Sequence, residues 1–275
     1  MSAVKKLRTG AVSYLNTLPL IAHLPRLAPE VELSLAVPSR LASDLAAGSL
    51  DVGLIPSIEY FRAGKYAILP DVAIASFGPV LSVKLCSRTP FAAIRTLELD
   101  EGSRTSVALA KLLLGHLFDA DPATTPLPLE SDPERTAADA VLAIGDRAMR
   151  IPGDAFPFTL DLGYEWTRWT GLPFVWAFWA VRQGVFVRHE TAAAFVRAKE
   201  LGRPEIPRLA AEHAERLGLD AAQCQYYLQR AIRHDFGAAE LAGLEHFYAL
   251  AAAAGLAPEG VACVFHGSGE LVESR

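Results

Sequence analysis

Cysteine and methionine are both scarce, at 3 and 2 residues in a chain of 275. Cys86, Cys224 and Cys263 lie far apart and make no C-x-x-C pair. They therefore read as reduced, mostly buried thiols of a cytoplasmic protein rather than as a disulfide framework. Charge is modest as well: charged residues make up 21%, and the formal net charge is −5 with a pI near 5.8. That balance argues against nucleic acid or an anionic membrane as the main partner. A small anion held by a few local donors stays open. No stretch approaches 18 uninterrupted apolar residues, so no transmembrane helix is expected. The basic start around Lys5, Lys6 and Arg8 is not followed by an apolar core segment, because Ser13, Asn16, Thr17 and Pro19 interrupt it. No signal peptide is expected. Also missing are G-x-x-x-x-G-K-[ST], a complete G-x-G-x-x-G after a strand, H-E-x-x-H and G-x-S-x-G. The seven histidines show no metal-ligand spacing, and His266-Gly267-Ser268-Gly269 is too short to carry meaning.

What is present alternates between strand-like and helix-like stretches. Val31, Leu33, Leu35 and Val37 fall on one face of a period-two run, which predicts a strand. A helix follows from Pro38-Ser39, with Ser39 a candidate cap, an apolar stripe at Leu41, Leu45 and Ala46, and a stop at Gly48. Val52–Ile55 predicts a short buried strand, and Pro56-Ser57 opens the next helix. A second cycle runs through strands at Val80–Leu85, Leu97–Leu99 and Ala140–Ile144, with a helix from Ser103 to about Phe118 and a loop around a short strand between 119 and 133. Pro173–Val181 is an apolar, aromatic strand. From Glu190 onward the pattern is helical, over 190–201, 204–217, 221–234 and 238–254, with Val261–Phe265 as a last short strand. Strand, helix, strand in this rhythm predicts an α/β protein with parallel sheet. Two such cycles followed by helices suggest two lobes with a central cleft. The expected division is 1–87 plus 180–275 for a discontinuous lobe one and 88–179 for lobe two. A ligand is then expected in the cleft, at loops after the carboxyl ends of strands.

Several residues sit where such loops fall. Tyr14 and Asn16 follow the first strand; Asn16 can donate and accept at once, which suits a hydroxyl or carboxylate, or equally a turn closure. Ser103, Thr105 and Ser106 stand at a helix start, where free N–H groups and hydroxyls can bind a carboxylate, although Ser103 can also simply cap the helix. Ser82 interrupts an apolar strand, as a core serine or a cleft donor. Gly145-Asp146 follows another strand, with Asp146 a cap or a site group. Ser57 and Glu59 lie in a first turn, where capping explains them well. The aromatics Trp166, Trp169, Phe174, Trp176, Phe178 and Trp179 read as core and hinge packing.

Five segments taken in order carry a resemblance. They are Ala11 to Leu20 (AVSYLNTLPL), Leu50 to Tyr60 (LDVGLIPSIEY), Ser103-Arg104-Thr105-Ser106, Ile144-Gly145-Asp146, and Asp161-Leu162-Gly163 through Trp166 to Phe174. Together they resemble the chorismate dehydratase family of menaquinone biosynthesis by the futalosine route, across nearly the whole chain. Leu18 departs from the arginine common there. The resemblance implies a fold like the type 2 periplasmic binding proteins, no cofactor, and chorismate as substrate, dehydrated to 3-[(1-carboxyvinyl)oxy]benzoate. It implies substrate contacts from Tyr14, Ser57, Ser82, Ser103, Thr105, Ser106 and Gly145, and catalytic roles for Asn16 and Asp146. The base is open between Asp146, Glu59 and the substrate's own enolpyruvyl carboxylate, with the last favoured. Rival readings are a small-anion binding protein of the same fold and the related 1,4-dihydroxy-6-naphthoate synthase. That synthase carries a His-Glu pair near where Gly145-Asp146 stands here, and a Pro-Cys-Pro-Asn-Asp-Thr-like opening that this chain lacks.

Overall fold

The computed structural model describes residues 6–267. The outer ends of the expected first lobe, 1–5 and 268–275, lie outside the described residues, as do Ser268 and Gly269. Among the described residues, ten strands form two five-stranded sheets. In chain order they are β1 Leu7–Val12, β2 Val31–Ala36, β3 Val52–Pro56, β4 Tyr66–Ser76, β5 Val83–Ser87, β6 Thr96–Asp100, β7 Ala123–Leu127, β8 Ala140–Ile144, β9 Phe158–Asp161 and β10 Phe174–Arg182. The first sheet has the order β2-β1-β3-β10-β4 and the second β7-β6-β8-β5-β9. Each contains a parallel trio, β2-β1-β3 and β7-β6-β8, followed by a strand running the other way, β10 or β5.

Sheet membership moves the lobe crossings away from their expected places. β5 pairs with β8 and β9, so Val83–Ser87 belongs to the second sheet rather than to lobe one. β10 pairs with β4 from Phe174 to Arg182 and with β3 from Ala177 to Val181, so residues 174–179 belong to the first sheet rather than to lobe two. The chain therefore crosses between β4 and β5 and again just before β10. An apolar run alone could not reveal this. Both strands are buried on two faces, and hydropathy does not say which sheet buries them.

β10 reads FVWAFWAVR, and its first eight residues are all buried. β2 differs. It is an edge strand, and Leu35, expected on the buried face, is 55% exposed. The helix Pro38–Ala46 forms as expected but buries Ala42 rather than Ala46. Its cap is Val37, with no side-chain bond from Ser39; the Ser39 N–H instead donates to Gly102 O in the second lobe at 3.1 Å. The helix Leu162–Thr170, which the aromatic reading left unassigned, starts where the Asp161 carboxylate accepts from Tyr164 N at 3.0 Å. The expected helix over 221–234 divides into Ala221–Tyr226 and a π-turn, Tyr227–Ala231. Val261–Phe265 makes only an isolated bridge, Ile68 to Phe265, and not a strand. Among the described residues no helix is long and apolar enough to cross a membrane.

The helix His189–Gly202 packs over the short helix Leu18–Ile21 that follows β1. Contact is close enough that a Cβ on Gly202 would stand 2.0 Å from Pro19 O. No larger residue fits there without moving the backbone, so this glycine fixes the position of the segment that leads out of the Tyr14–Thr17 turn.

Candidate active site

Between the sheets, loops from both lobes surround a cavity that is open to solvent at its mouth. The first lobe supplies the turn after β1. Tyr14 leaves the strand extended, and Leu15–Thr17 closes one 3₁₀ turn. Such a turn has few bonds of its own and needs outside support. Part of it comes from the second lobe, where Asp146 Oδ1 accepts from Leu15 N at 3.1 Å. The Tyr14 ring lies against Gly145: a Cβ there would meet three ring carbons at 2.9 Å, and Gly145 has φ +64°. Both facts require glycine. Burial holds the Tyr14 phenol protonated, far above its ordinary pKa.

Opposite this turn stands the start of the helix Thr105–Phe118. The N-cap is Arg104 rather than Ser103, but Ser103 Oγ, one residue earlier, accepts from Ser106 N at 3.2 Å. Thr105 Oγ1 accepts from Ile58 N at 3.2 Å and lies 3.4 Å from Ser57 Oγ. It thereby ties this helix to the start of the helix Ser57–Ala63 in the other lobe. Ser57 donates to Val175 O at 2.7 Å and stands behind Thr105 rather than on the cavity wall. Ser106 lines the cavity, and among the described residues its hydroxyl has no protein partner.

The third wall is the crossing before β5. Leu81 adopts φ +65°, a conformation that costs a non-glycine residue about 1–2 kcal/mol. The Asp161 carboxylate holds it there by accepting from Val80 N and Leu81 N at 3.0 and 2.7 Å. Ser82 follows at once, in a loop and not in the expected strand, and faces the cavity. Its Oγ accepts from Tyr227 Oη at 2.9 Å, and Tyr227 Oη in turn accepts from Asn16 Nδ2 at 3.1 Å. His234 Nε2 donates to the Asn16 carbonyl at 2.8 Å. Trp176, read from sequence as packing, lines the cavity and donates through Nε1 to Ser76 Oγ at 3.0 Å.

The structure thus gathers Tyr14, Asn16, Ser82, Ser103, Thr105, Ser106 and Gly145 around one cavity. Ser57, Glu59 and Asp146 stand outside its wall. Glu59 is engaged by Arg62 at 2.9 Å and Arg104 at 2.6 Å. Asp146 is nine-tenths covered, and burial raises its pKa. Sequence reasoning missed Tyr227 and His234, because reading 221–234 as one regular helix hid the π-turn that presents them. The rest of the wall is apolar, including Val12, Pro38, Pro56, Ile74 and Ile232. Among the described residues that line it, Tyr14 is the only ionisable side chain. Nor do three or more His, Cys, Asp or Glu side chains converge anywhere among the described residues. What faces a ligand is therefore a set of neutral donors, hydroxyls and one carboxamide, beside the N-terminus of a 14-residue helix. That set can hold carboxylates and stabilise growing negative charge on oxygen.

Residues 7–253 match the family model described as menaquinone biosynthesis. The chain is 31% identical to the chorismate dehydratase of Thermus thermophilus over 80% of this chain and 86% of that one. It is 29% identical to the chorismate dehydratase of Campylobacter jejuni, over 86% and 94%. Among solved structures, protein AF1704 from Archaeoglobus fulgidus aligns with a TM-score of 0.71 at 19% identity, covering 92% of this chain and 98% of that one. The periplasmic aliphatic sulphonate binding protein SsuA from Escherichia coli aligns at 0.61 and 19%, covering 94% and 96%. At such identities these structures speak to the fold, which is of the periplasmic-binding-protein kind. With a family match over most of its length and relatives at about 30% identity, the chain belongs to the menaquinone-biosynthesis family.

Proposed function

We propose that this chain is a carbon–oxygen lyase that removes water from chorismate to give 3-[(1-carboxyvinyl)oxy]benzoate. The observation that carries the reading is a two-lobed cavity walled by neutral donors, with no acid or imidazole among the described residues that line it. The C3 proton of chorismate is vinylogous to the ring carboxylate. Its removal sends the C3–H electron pair into a dienolate, and the C4–O bond then breaks as the ring becomes aromatic. The hydroxyl leaves with the proton as water, and nothing is oxidised or reduced. The driving force lies in the substrate, so the protein has to hold two carboxylates, stabilise the dienolate and orient the leaving group. Ser106, Thr105 and the helix N-terminus are assigned to a carboxylate, Ser82 and Tyr14 to the other polar groups of the substrate, and Asn16 to the departing hydroxyl.

The enolpyruvyl carboxylate, adjacent to C3, is assigned as the base. Asp146 supports this indirectly: it lies off the cavity wall and one oxygen of its carboxylate accepts from the Leu15 amide, which fits a positioning residue for the Asn16 turn. Incubation with chorismate, with neither metal nor nucleotide added, is expected to give a product lighter by one water in mass spectrometry; unchanged chorismate over folded protein would overturn the reading. Asp146→Asn keeps an oxygen acceptor for Leu15 and is expected to retain measurable turnover, as is Glu59→Gln. An enzymic base contributes about 10²–10⁴-fold, so its loss could not be mistaken for assay error. A chorismate analogue with an amide in place of the enolpyruvyl carboxylate is expected to bind without eliminating. Normal reaction of that amide, with Asp146→Asn inactive, would make Asp146 the base instead.

A further inference from the structure

Asn16 is the only asparagine in the chain, and its orientation is set largely from outside its own turn. An amide can be reversed end for end at little cost unless its neighbours distinguish N–H from oxygen. Here they do. Tyr227 has one hydroxyl proton and gives it to Ser82 Oγ at 2.9 Å, so it turns a lone pair toward Asn16. Only Nδ2 can satisfy that lone pair, at 3.1 Å; a reversed amide would set two acceptors against each other. The other end agrees, because Asn16 Oδ1 accepts from Thr17 Oγ1 at 3.2 Å. One Nδ2–H is consumed and the second remains for the cavity that Asn16 lines. The same logic applies to Ser82. Having accepted from Tyr227, it keeps its own proton for the cavity.

The backbone of the turn is held from the same side. His234 is fully buried and its Nε2 lies 2.8 Å from Asn16 O, an acceptor, so the proton sits on Nε2. Both residues come from one stretch. The π-turn Tyr227–Ala231 ends where Ile232 N bonds to Tyr227 O at 3.0 Å, and the chain then pairs with β4 through Ala75 and Arg233. Single π-turns of this kind are found disproportionately at functional sites. Burial supports the assignment by keeping the Tyr227 phenol protonated and His234 neutral.

We infer that Tyr227 and His234 are positioning residues that aim the Asn16 carboxamide and the Ser82 hydroxyl into the cavity as hydrogen-bond donors. The catalytic consequence rests on the dehydration reading above; the aiming itself does not. Because there is one asparagine, labelling with ¹⁵N-asparagine gives a single side-chain amide pair, and its proton shifts read the Tyr227 contact in the free protein. Tyr227→Phe is expected to move the signal of the bonded proton of that pair, and Ser82→Ala, which leaves the phenol proton without its acceptor, to move it as well. An amide signal unchanged in both variants overturns the inference whatever the enzyme does. With chorismate as substrate, Tyr227→Phe is expected to lower kcat by about tenfold to hundredfold, below the roughly 10²–10³ typical when an aimed donor itself is deleted. KM should stay within about threefold, since the lost bond is not to substrate. His234→Ala should act in the same direction, and His234→Gln, whose amide can still donate to Asn16 O, should recover most of the loss. If Tyr227→Phe unfolds, Ser82→Ala and the His234 pair carry the test. A wild-type kcat in Tyr227→Phe, or an effect on KM alone, sinks the catalytic part. Failure of the wild type to dehydrate chorismate would sink the function while leaving the amide experiment standing.

Discussion

At the scale of single residues, the site depends on groups that are neutral because they are buried. His234 is held at a pKa of about 4 by desolvation, against 6.5 for an ordinary histidine. Between those values the unfolded chain binds a proton that the native chain does not. Stability is therefore fully present above about 6.5 and falls as the pH drops toward 4, by up to about 1.4 kcal/mol per pH unit. Urea titrations between those limits are expected to show this slope reduced in His234→Gln; equal slopes in both proteins would count against a neutral buried His234. Gly145→Ala is expected to destabilise by more than the roughly 1–2 kcal/mol that a positive φ alone costs a side chain, since the new Cβ meets the Tyr14 ring at 2.9 Å. Because Tyr14 lines the cavity, KM should rise as well. Denaturant midpoints and steady-state kinetics check the two halves separately.

At the scale of elements, two helix starts and one 3₁₀ turn converge, and their hydroxyls are not equivalent. Sequence spacing treats Thr105 and Ser106 alike, as neighbouring donors in one first turn. The structure separates them: both line the cavity, but Thr105 Oγ1 also accepts from the Ile58 amide of the other lobe, while the Ser106 hydroxyl has no protein partner among the described residues. Ser106→Ala should weaken substrate binding by the value of one charged hydrogen bond, about 1.5–3 kcal/mol, with little change in melting temperature. Thr105→Ala should also lower the melting temperature, because it leaves the Ile58 N–H without its partner, at about 1–3 kcal/mol. Isothermal titration beside thermal scans distinguishes the two. Equal behaviour of the variants would show that the inter-lobe bond contributes nothing.

At the scale of the whole molecule, the lobes are joined by two crossings and by hydrogen bonds between them. Besides Ile58 N to Thr105, these include Leu15 N to Asp146, Ser39 N to Gly102 O, and Arg104 to both Glu59 and Ser43. Arg104 is partly exposed, so its ion pair is screened and belongs with bonds worth about 0–1 kcal/mol. Arg104→Ala is accordingly expected to raise KM by less than about fivefold and leave kcat near wild type. A large loss of kcat would mean that this contact does more than favour closure. Much of this architecture was legible in the chain beforehand. Period-two and continuous apolar runs located eight of the ten strands, all but β4 and β9, and the main helices, because they record burial along one segment at a time. Positions of loops after strands picked out Tyr14, Asn16, Ser103, Thr105, Ser106 and Gly145, because local chemistry at a strand end or helix start is written in neighbouring residues. What pairing distance decides was not legible. β5 and β10 exchange sheets relative to expectation because either sheet could bury them. Asp146 and Ser57 support the wall instead of forming it, because their partners lie 131 and 118 residues away. Tyr227 and His234 reach Asn16 across 211 and 218 residues, through a turn whose irregular hydrogen bonding leaves no period to read. The sequence by itself determined which segments are strands, helices and donor-bearing turns; only the tertiary structure decided which donors face the cavity and which are spent holding the others in place, since a hydrogen-bond direction is fixed by the partner and not by the residue.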